Sequence, residues 1–315
     1  MSLIDVRGLE RTFVVRRKSG RLTRERHEVR AVHDLDFQVE AGEMVGYIGP
    51  NGAGKSTTIK MLTGILVPTG GHLRVAGLEP SRRRTELAKR IGVVFGQRTT
   101  LWWDLPLRDS FELLQKIYRV PDDRFRTNLA EFVELLDLGD LLDTPVRQLS
   151  LGQRMRGDIA ASLLHDPEIL YLDEPTIGLD VVSKGRLREF LRALNEARGT
   201  TLLLTTHDLQ DIEALCRRVI VIDHGTGVFD GALDDLHRHG GSTRTLVVDL
   251  VDAAAPIQVP GAETRRVEGP RQWLSFPSDA SAAPIVAAVA AAYDVADLSI
   301  QEPAIEDVIR DLYSR

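Results

Sequence analysis

The chain has 315 residues, of which 43% are hydrophobic and 27% are charged. This composition is ordinary for a globular protein, and the length predicts one large domain with a smaller second one. The net charge of −6 argues against nucleic-acid binding, and the single cysteine, Cys216, excludes an internal disulfide. No apolar run reaches the roughly 20 residues that span a bilayer. If the chain acts at a membrane, we therefore expect it to do so from outside the bilayer.

The first third of the chain predicts strands around a glycine-rich loop. Residues 3–7 alternate like a strand, and the basic segment 16–26 contains a Ser-Gly pair that indicates a hairpin or loop. Its alternative role is a patch that faces lipid headgroups or a partner. "MVGYIG" (44–49) predicts a short buried strand, which runs into "GPNGAGKST" and then into the helical pattern "TTIKMLTGIL".

The middle of the chain alternates strands with helices. Strands are predicted at "RIGVVFGQ" (90–97), "EILYLDEP" (168–175), "TTLLLTTH" (200–207) and "RRVIVIDHG" (217–225). Residues 107–143 have helical apolar spacing. Nearly continuous apolar strands are typical of a sheet that is covered on both faces. We therefore predict an α/β fold with a largely parallel central sheet.

The pattern changes near "HRHGGST" (237–243), which predicts a linker. A strand at "TLVVDLV", an Ala-rich helix at "APIVAAVAAAY" and a final amphipathic helix at "AIEDVIRDLY" should follow. The sequence thus divides into residues 1–237 and an α+β appendage over residues 238–315.

Residues 49–56 match the phosphate-binding pattern G-x-x-x-x-G-K-[ST]. In such a loop, backbone N–H groups and the start of the following helix surround phosphate oxygens. Lys55 should reach the β- and γ-phosphates, and the Ser56 hydroxyl should bind Mg²⁺. The alternative, an unusually glycine-rich turn, is disfavoured by the strand and helix that flank the loop.

The stretch "ILYLDEP" (169–175) supplies two adjacent acids at a strand end. We expect Asp173 to hold Mg²⁺ and Glu174 to polarise the attacking water. Two acids at such a position can also be a merely solvated strand end. The phosphate-binding loop in the same chain favours the catalytic interpretation.

With further segments, these motifs resemble the nucleotide-binding subunit of ATP-binding-cassette (ABC) transporters. "GPNGAGKST" resembles the Walker A motif, "ILYLDEP" the Walker B motif and "LSLGQ" (149–153) the family signature. Gln97 in "VFGQ", Asp180 in "PTIGLD" and His207 in "LLLTTHD" are similar to the Q-loop, D-loop and switch residues. The resemblance covers about residues 3–237 and implies a P-loop NTPase core, with an antiparallel β subdomain and a helical subdomain at about 99–160.

The resemblance also implies roles for individual residues. Gln97 would sense the γ-phosphate and Mg²⁺, and His207 would contact the γ-phosphate in the transition state. Alone, either would be an ordinary polar residue. Phe13 aligns with an aromatic that stacks on adenine, although a plain core phenylalanine is the alternative. The remaining ATP contacts implied are Gly49, Pro50, Asn51, Gly52, Ala53, Gly54, Lys55, Ser56, Thr57, Ser150, Gly152, Gln153 and Asp180.

One copy of each motif implies that two such chains pack head to tail around two ATP molecules, most simply as a homodimer. The C-terminal "EPAIEDVIRDLY" resembles bacterial exporters of the ABC-2 type, although it also forms a good helix start. The partner would be an integral membrane permease, and this chain would lie as a peripheral subunit on the cytoplasmic face of the inner membrane. At least one of the adjacent Trp102 and Trp103 would anchor that contact, or both would pack within the helical subdomain. Alternatives are a soluble ABC ATPase of translation or DNA maintenance, another P-loop class, or a non-hydrolysing subunit.

The signature segment carries Leu151 where the family usually has glycine. "SLGQ" also fits a capping box, with Ser150 as the N-cap and Gln153 at the third helical position. This predicts negative φ at Leu151, with its side chain turned away from the nucleotide. We expect Gly152 to face the gap that the phosphate must enter, and the site to be active.

Overall fold

The computed structural model describes residues 2–18, 24–96, 98–206, 208–240, 243–253, 255–277, 280–301 and 308, without the side chains of 16–18, 24–25 and 237–240. The chain forms two compact units, Met1–Gly231 and Ala232–Arg315. The boundary between the units, after Gly231, comes slightly earlier in the chain than the predicted division between 237 and 238.

Two sheets form the first unit. Its strands are β1 (Ser2–Lys18), β2 (Arg24–Glu40), β3 (Met44–Ile48), β4 (Gly70–Val75), β5 (Ile91–Phe95), β6 (Ile169–Asp173), β7 (Thr201–Thr205), β8 (Arg218–Asp223) and β9 (Thr226–Ala232). The central sheet has the order β5-β6-β7-β3-β8-β9, and every pair from β5 to β8 is parallel. The predicted parallel sheet is confirmed. The strands of this sheet are nearly continuous apolar runs, as expected of strands covered on both faces. Strand β7, for example, is buried along its whole length.

The smaller sheet of this unit is antiparallel, with the order β2-β1-β4. Its strands β1 and β2 pair as far as Lys18 and Arg24, so the basic segment lies on a long hairpin whose residues 19–23 are outside the described part. The sequence predicted only residues 3–7 as strand. Beyond them Val14 and Val15 are both exposed, so no alternation of apolar and polar residues marks the outer half of the hairpin.

Helices connect the strands of the first unit. They are α1 (Lys55–Leu62), α2 (Arg84–Leu87), α3 (Leu107–Tyr118), α4 (Asp122–Leu135), α5 (Leu151–Leu163), α6 (Val181–Arg198) and α7 (Leu209–Leu215). The predicted helices within residues 107–143 are confirmed as α3 and α4. The apolar core of the unit packs around β3, with Val45 and Tyr47 fully buried.

The second unit contains α8 (Leu233–Gly240), β10 (Thr243–Leu250), β11 (Glu263–Glu268), β12 (Arg271–Pro277), α9 (Ala282–Ala292) and β13 (Val295–Gln301). The sheet is antiparallel, in the order β11-β12-β10-β13, with α9 packed against it. The predicted linker at 237–243 is wrong up to Gly240, because α8 continues that far, and at Thr243, where β10 begins. Residues 241 and 242 lie outside the described part. Apart from the buried helical Val308, the predicted last helix lies outside the described residues.

Across the ranges given above, no helix is long and apolar enough to cross a membrane. The single cysteine, Cys216, is buried behind α7, as expected of a small core residue. Burial raises the pKa of its thiol to about 12, so the thiolate form is disfavoured at neutral pH.

Candidate functional site

The glycine-rich loop connects β3 to α1 and leaves the start of the helix uncapped by any side chain. Gly54 is the N-cap, with φ of 104°, a left-handed backbone that glycine adopts without strain. A Cβ at this position would lie 2.6 Å from the carbonyl oxygen of Ala31, so no other residue fits here. The N–H groups that open α1 therefore have no side-chain acceptor and suit an anionic ligand.

Lys55 is the first residue of α1, and it is buried within the loop. Its Nζ donates hydrogen bonds to the carbonyl oxygens of Gly49 and, at 3.1 Å, Pro50. Burial lowers the pKa of Lys55, whereas Glu174 and Asp173 nearby oppose that shift. A partly desolvated amine at the start of a helix is well placed to exchange these carbonyl contacts for phosphate oxygens.

The two acids stand at the carboxyl end of β6. Asp173 accepts a hydrogen bond from the Thr205 hydroxyl, and the Glu174 N–H donates to the Thr205 carbonyl over 2.9 Å. Glu174 has φ of 57°, in the left-handed region that costs an L-residue roughly 1–2 kcal/mol. Strained backbone of this kind is concentrated at functional sites, where the surrounding structure holds it in place.

The loop and both acids line one cavity of about 510 Å³. Of the sequence-predicted residues, it brings together Pro50, Asn51, Gly52, Gly54, Lys55, Ser56, Thr57, Asp173 and Glu174. Gly49 and Ala53 complete the loop without lining the cavity. This arrangement places hydroxyl, ammonium, N–H and carboxylate groups around a space that a polyphosphate could occupy.

The remaining predicted site residues are not among the described lining of the cavity. Gln97 and His207 lie outside the described residues. Phe13 does not line the cavity, and the guanidinium of Arg11 lies 4.5 Å from the centre of its ring. The adenine-stacking role of Phe13 therefore gains no support from the cavity wall. Ser150, Gly152, Gln153 and Asp180 also do not line the cavity of their own chain.

The signature segment forms the predicted capping box at the start of α5. Ser150 Oγ accepts from the N–H of Gln153 at 3.2 Å, and the Gln153 side chain accepts from the N–H of Ser150 at 2.9 Å. Leu151 opens the helix and is not among the non-glycine residues with positive φ, as predicted. Ser150 is exposed and available to a ligand of another molecule.

The reason expected for Gly152 needs correction. A Cβ at Gly152 would not point into an open gap: it would lie 2.9 Å from Leu179 Cδ2 and 3.1 Å from the carbonyl oxygen of Gly178. Gly152 is buried against residues 174–180 of its own chain, here called the acidic loop because it begins at Glu174. Close approach of these two segments, rather than of phosphate, is what excludes a side chain at Gly152.

The acidic loop is fixed at both ends. The Thr176 hydroxyl donates to buried Asp211 in α7 over 2.6 Å, and Arg188 of α6 forms a salt bridge with the same carboxylate. At the other end Asp180 is the N-cap of α6, and hydrogen bonds from the N–H and hydroxyl of Ser183 lower the pKa of Asp180. Asp180 is therefore ionised at neutral pH and anchors this end of the acidic loop.

Sequence reasoning missed several residues of the cavity wall, which are Ala31, Lys60, Ile65, Phe95, Gly96, Arg98 and Ile177. A Cβ at Gly96 would lie 2.6 Å from the Asp173 carbonyl oxygen, so this glycine lets the end of β5 approach the acids. The sequence feature that could have identified Gly96 is its position directly before Gln97. No sequence feature identifies Ala31 as part of the cavity wall, since β2 reaches the cavity only through the tertiary fold.

Comparison with known proteins agrees with this geometry. The ABC transporter family model matches residues 32–177. The daunorubicin resistance ATP-binding protein DrrA3 of Streptomyces coeruleorubidus is 34% identical over 292 residues, which is 90% of this chain and 91% of that protein. The Nod factor export ATP-binding protein I of Paraburkholderia xenovorans (strain LB400) is 39% identical over 206 residues, covering 65% of this chain and 67% of that protein.

A solved structure has a similar fold. It is a dimeric post-hydrolysis state of an ATP-binding cassette bound to ADP and Pi, with a TM-score of 0.63 and 26% identity, covering 73% of this chain and 98% of that one. Neither these relatives nor this structure supports a soluble ABC ATPase of translation or DNA maintenance. A phosphate loop facing two acids, and a relative that aligns along nearly the entire chain, lead to one conclusion: the chain belongs to the ATP-binding subunits of ABC transporters and hydrolyses ATP to power a membrane transporter.

Proposed function

We propose that this subunit drives export through a separate ABC-2 type permease, and that it acts as a peripheral protein on the cytoplasmic face of the inner membrane. The observation that supports hydrolysis is the single cavity shared by the phosphate loop, Asp173 and Glu174. Export is supported by the functions for which the two relatives are named, daunorubicin resistance and Nod factor export. The cassette is proposed to comprise residues 1–237 and the appendage residues 238–315.

The cavity suggests how each group acts on ATP. Lys55 and the N–H groups at the start of α1 would bind the β- and γ-phosphates. Glu174 would accept a proton from the attacking water, because its carboxylate lines the same cavity. Gln97 and His207 are proposed to keep the roles that the motif resemblance implies, at the γ-phosphate.

Mg²⁺ fits this set of donors. Ser56 and Asp173 line the same cavity, and Mg²⁺ is commonly held by one or two carboxylates together with phosphate oxygens. Within the described residues, no group of three His, Cys, Asp or Glu side chains could hold a metal alone, which agrees with a site completed by the nucleotide. When bound, Mg²⁺ would neutralise phosphate charge.

We also propose a head-to-tail homodimer. Ser150 and Gln153 cap a helix start and do not line the cavity of their own chain, so a nucleotide on a second copy is the ligand they suit. The dimeric state of the related cassette supports this arrangement. In such a dimer each ATP would lie between the phosphate loop of one chain and the cap of the other.

The surface after the predicted Q-loop suits a permease contact. Trp102 and Trp103 are 37% and 50% exposed, and the guanidinium of Arg154 lies 5.3 Å from the centre of the Trp103 ring. Exposed tryptophans beside an arginine are frequent anchors of protein interfaces. This observation favours the interface role over packing within the helical subdomain.

Co-purification tests the transporter assignment. The tagged chain, expressed with the membrane protein encoded beside its gene, should retain that protein through detergent purification. Replacement of both Trp102 and Trp103 by alanine should release it, whereas Leu135→Ala, at an equally exposed site on α4, should not. Failure of the wild-type chain to bind any such membrane protein would contradict the proposal.

A further inference from the structure

The signature segment and the acidic loop of one chain are joined by two leucine–glycine contacts. The Leu151 side chain covers Gly178, where a Cβ would lie 2.6 Å from Leu151 Cδ2. In the second contact the Leu179 side chain covers Gly152, where a Cβ would lie 2.9 Å from Leu179 Cδ2. Each segment thus contributes one leucine and one glycine, and neither glycine site has room for a side chain.

The two segments serve different ATP molecules in the proposed dimer. The acidic loop begins at Glu174, which lines the cavity of its own chain. The signature segment carries Ser150, which is exposed and does not line that cavity. A rigid contact between the segments is therefore a direct mechanical connection from one ATP site to the other.

The acidic loop has little freedom to absorb a movement elsewhere. Thr176 is held by Asp211, Asp180 caps α6, and Gly178 has a left-handed backbone with φ of 75°. A displacement of the cap at Ser150 would press Leu151 on Gly178 and be transmitted along the loop. Close-packed contacts shift in discrete steps rather than deform continuously, so such a displacement is carried to Glu174.

We propose that Leu151 and Leu179 make the signature segment and the acidic loop move as one unit, so that closure at one ATP site aligns Glu174 in the other. This inference rests on the proposed head-to-tail dimer. Leu151 is a positioning residue in it, because it acts through Gly178 and touches no substrate. The residue that departs from the usual signature thereby supplies coupling between the sites.

Leu151→Ala in the full-length chain tests the coupling. Two coupled sites give a Hill coefficient that approaches two, and uncoupled sites give one. We expect wild-type hydrolysis to be cooperative in ATP, and Leu151→Ala to bring the Hill coefficient to about one with turnover reduced by roughly two- to fivefold. Binding of a fluorescent ATP analogue should be unchanged, which separates lost coupling from unfolding.

Leu135→Ala is the matched control, since Leu135 is 46% exposed on α4 and Leu151 is 37% exposed. The control should retain wild-type cooperativity. A Leu151→Ala variant with wild-type turnover and Hill coefficient would overturn the inference. Failure of the proposed dimer is distinguishable, because Glu174→Gln would then form no ATP-dependent dimer even with Leu151 present.

A double-mutant cycle tests the contact itself. Gly178→Ala introduces the Cβ that meets Leu151, and we expect it to lower turnover by about tenfold or more. In the Leu151→Ala background the same change should cost at least about threefold less, because the two closest contacts, with Leu151 Cδ2 and Cγ, are removed. The contact with the Cβ of residue 151 at 3.2 Å and the left-handed backbone strain stay. If the fold-reductions in turnover of the two single variants simply multiply in the double variant, Leu151 and Gly178 act independently. That result would overturn the proposed contact as the connecting element.

Discussion

The backbone at Glu174 shows how one residue can be set for catalysis by its surroundings. Its left-handed φ is held on one side by the bond to the Thr205 carbonyl and on the other by Thr176, which is bound to Asp211. Neither anchor lies in the motif that revealed Glu174. The acids were predicted because they follow an apolar strand, but the residues that orient them come from β7 and α7.

Two substitutions in the signature segment should have very different effects. Gly152→Asp would drive a charged side chain into Leu179 and the Gly178 carbonyl, so we expect hydrolysis to fall by roughly a hundredfold or more. Leu151→Gly deletes a partly exposed side chain and should reduce hydrolysis by less than about tenfold. Steady-state phosphate release measures both variants. The reverse ranking would contradict this account.

At the scale of elements, burial decided what the sequence could predict. Strands β3, β5, β6, β7 and β8 are short and apolar, and each lies where its sequence pattern indicated. The sequence predicted a hairpin or loop at 16–26, where β1 and β2 pair, but it did not predict how far the strands extend. It also missed the helical residues up to Gly240, because charged and histidine-rich segments are typical of loops. Helix α5 was predicted to its first residue, since a capping box is determined by neighbours in sequence.

The junction between α6 and α7 should depend on pH through Asp208. The hydrogen bond from Lys184, at 2.5 Å, holds the pKa of Asp208 below its usual value of about 3.9. A depressed folded-state pKa stabilises the protein above the unfolded value, and this contribution disappears as the pH falls through the folded pKa.

Asp208→Asn should therefore lower the free energy of unfolding at pH 7, and the difference from wild type should narrow as the pH falls below about 3.9. Urea denaturation at a series of pH values measures it. Asp140→Asn, at an exposed aspartate, serves as the control and should show a smaller difference. A difference for Asp208→Asn that stays constant with pH would show that its ion pair contributes nothing.

At the scale of the whole molecule, the functional motifs were predictable and their packing was not. The phosphate loop and the acids are contiguous sequence patterns, so nine residues that line the cavity could be predicted from the sequence. The contact of Leu151 with Gly178 joins residues that are distant in sequence, and it left no local pattern. The correction at Gly152 arose from the same long-range contact.

The described lining of the cavity lies within residues 31–177, all in the first unit. A chain truncated after Gly231 should therefore bind ATP with an affinity within about threefold of the full-length chain, because no described residue of the second unit lines the cavity. Calorimetric titration with ATP measures this, and circular dichroism reports whether the truncated chain folds. A folded fragment that binds no ATP would show that the appendage contributes to the site.

The substitution Glu174→Gln tests the central claim most directly, because it removes the proton acceptor while keeping the shape of the side chain. Steady-state hydrolysis should fall by roughly a hundredfold or more. ATP should still bind, and a dimer that retains two ATP molecules should accumulate during size-exclusion chromatography. Undiminished turnover in this variant would remove Glu174 from its catalytic role and contradict the account.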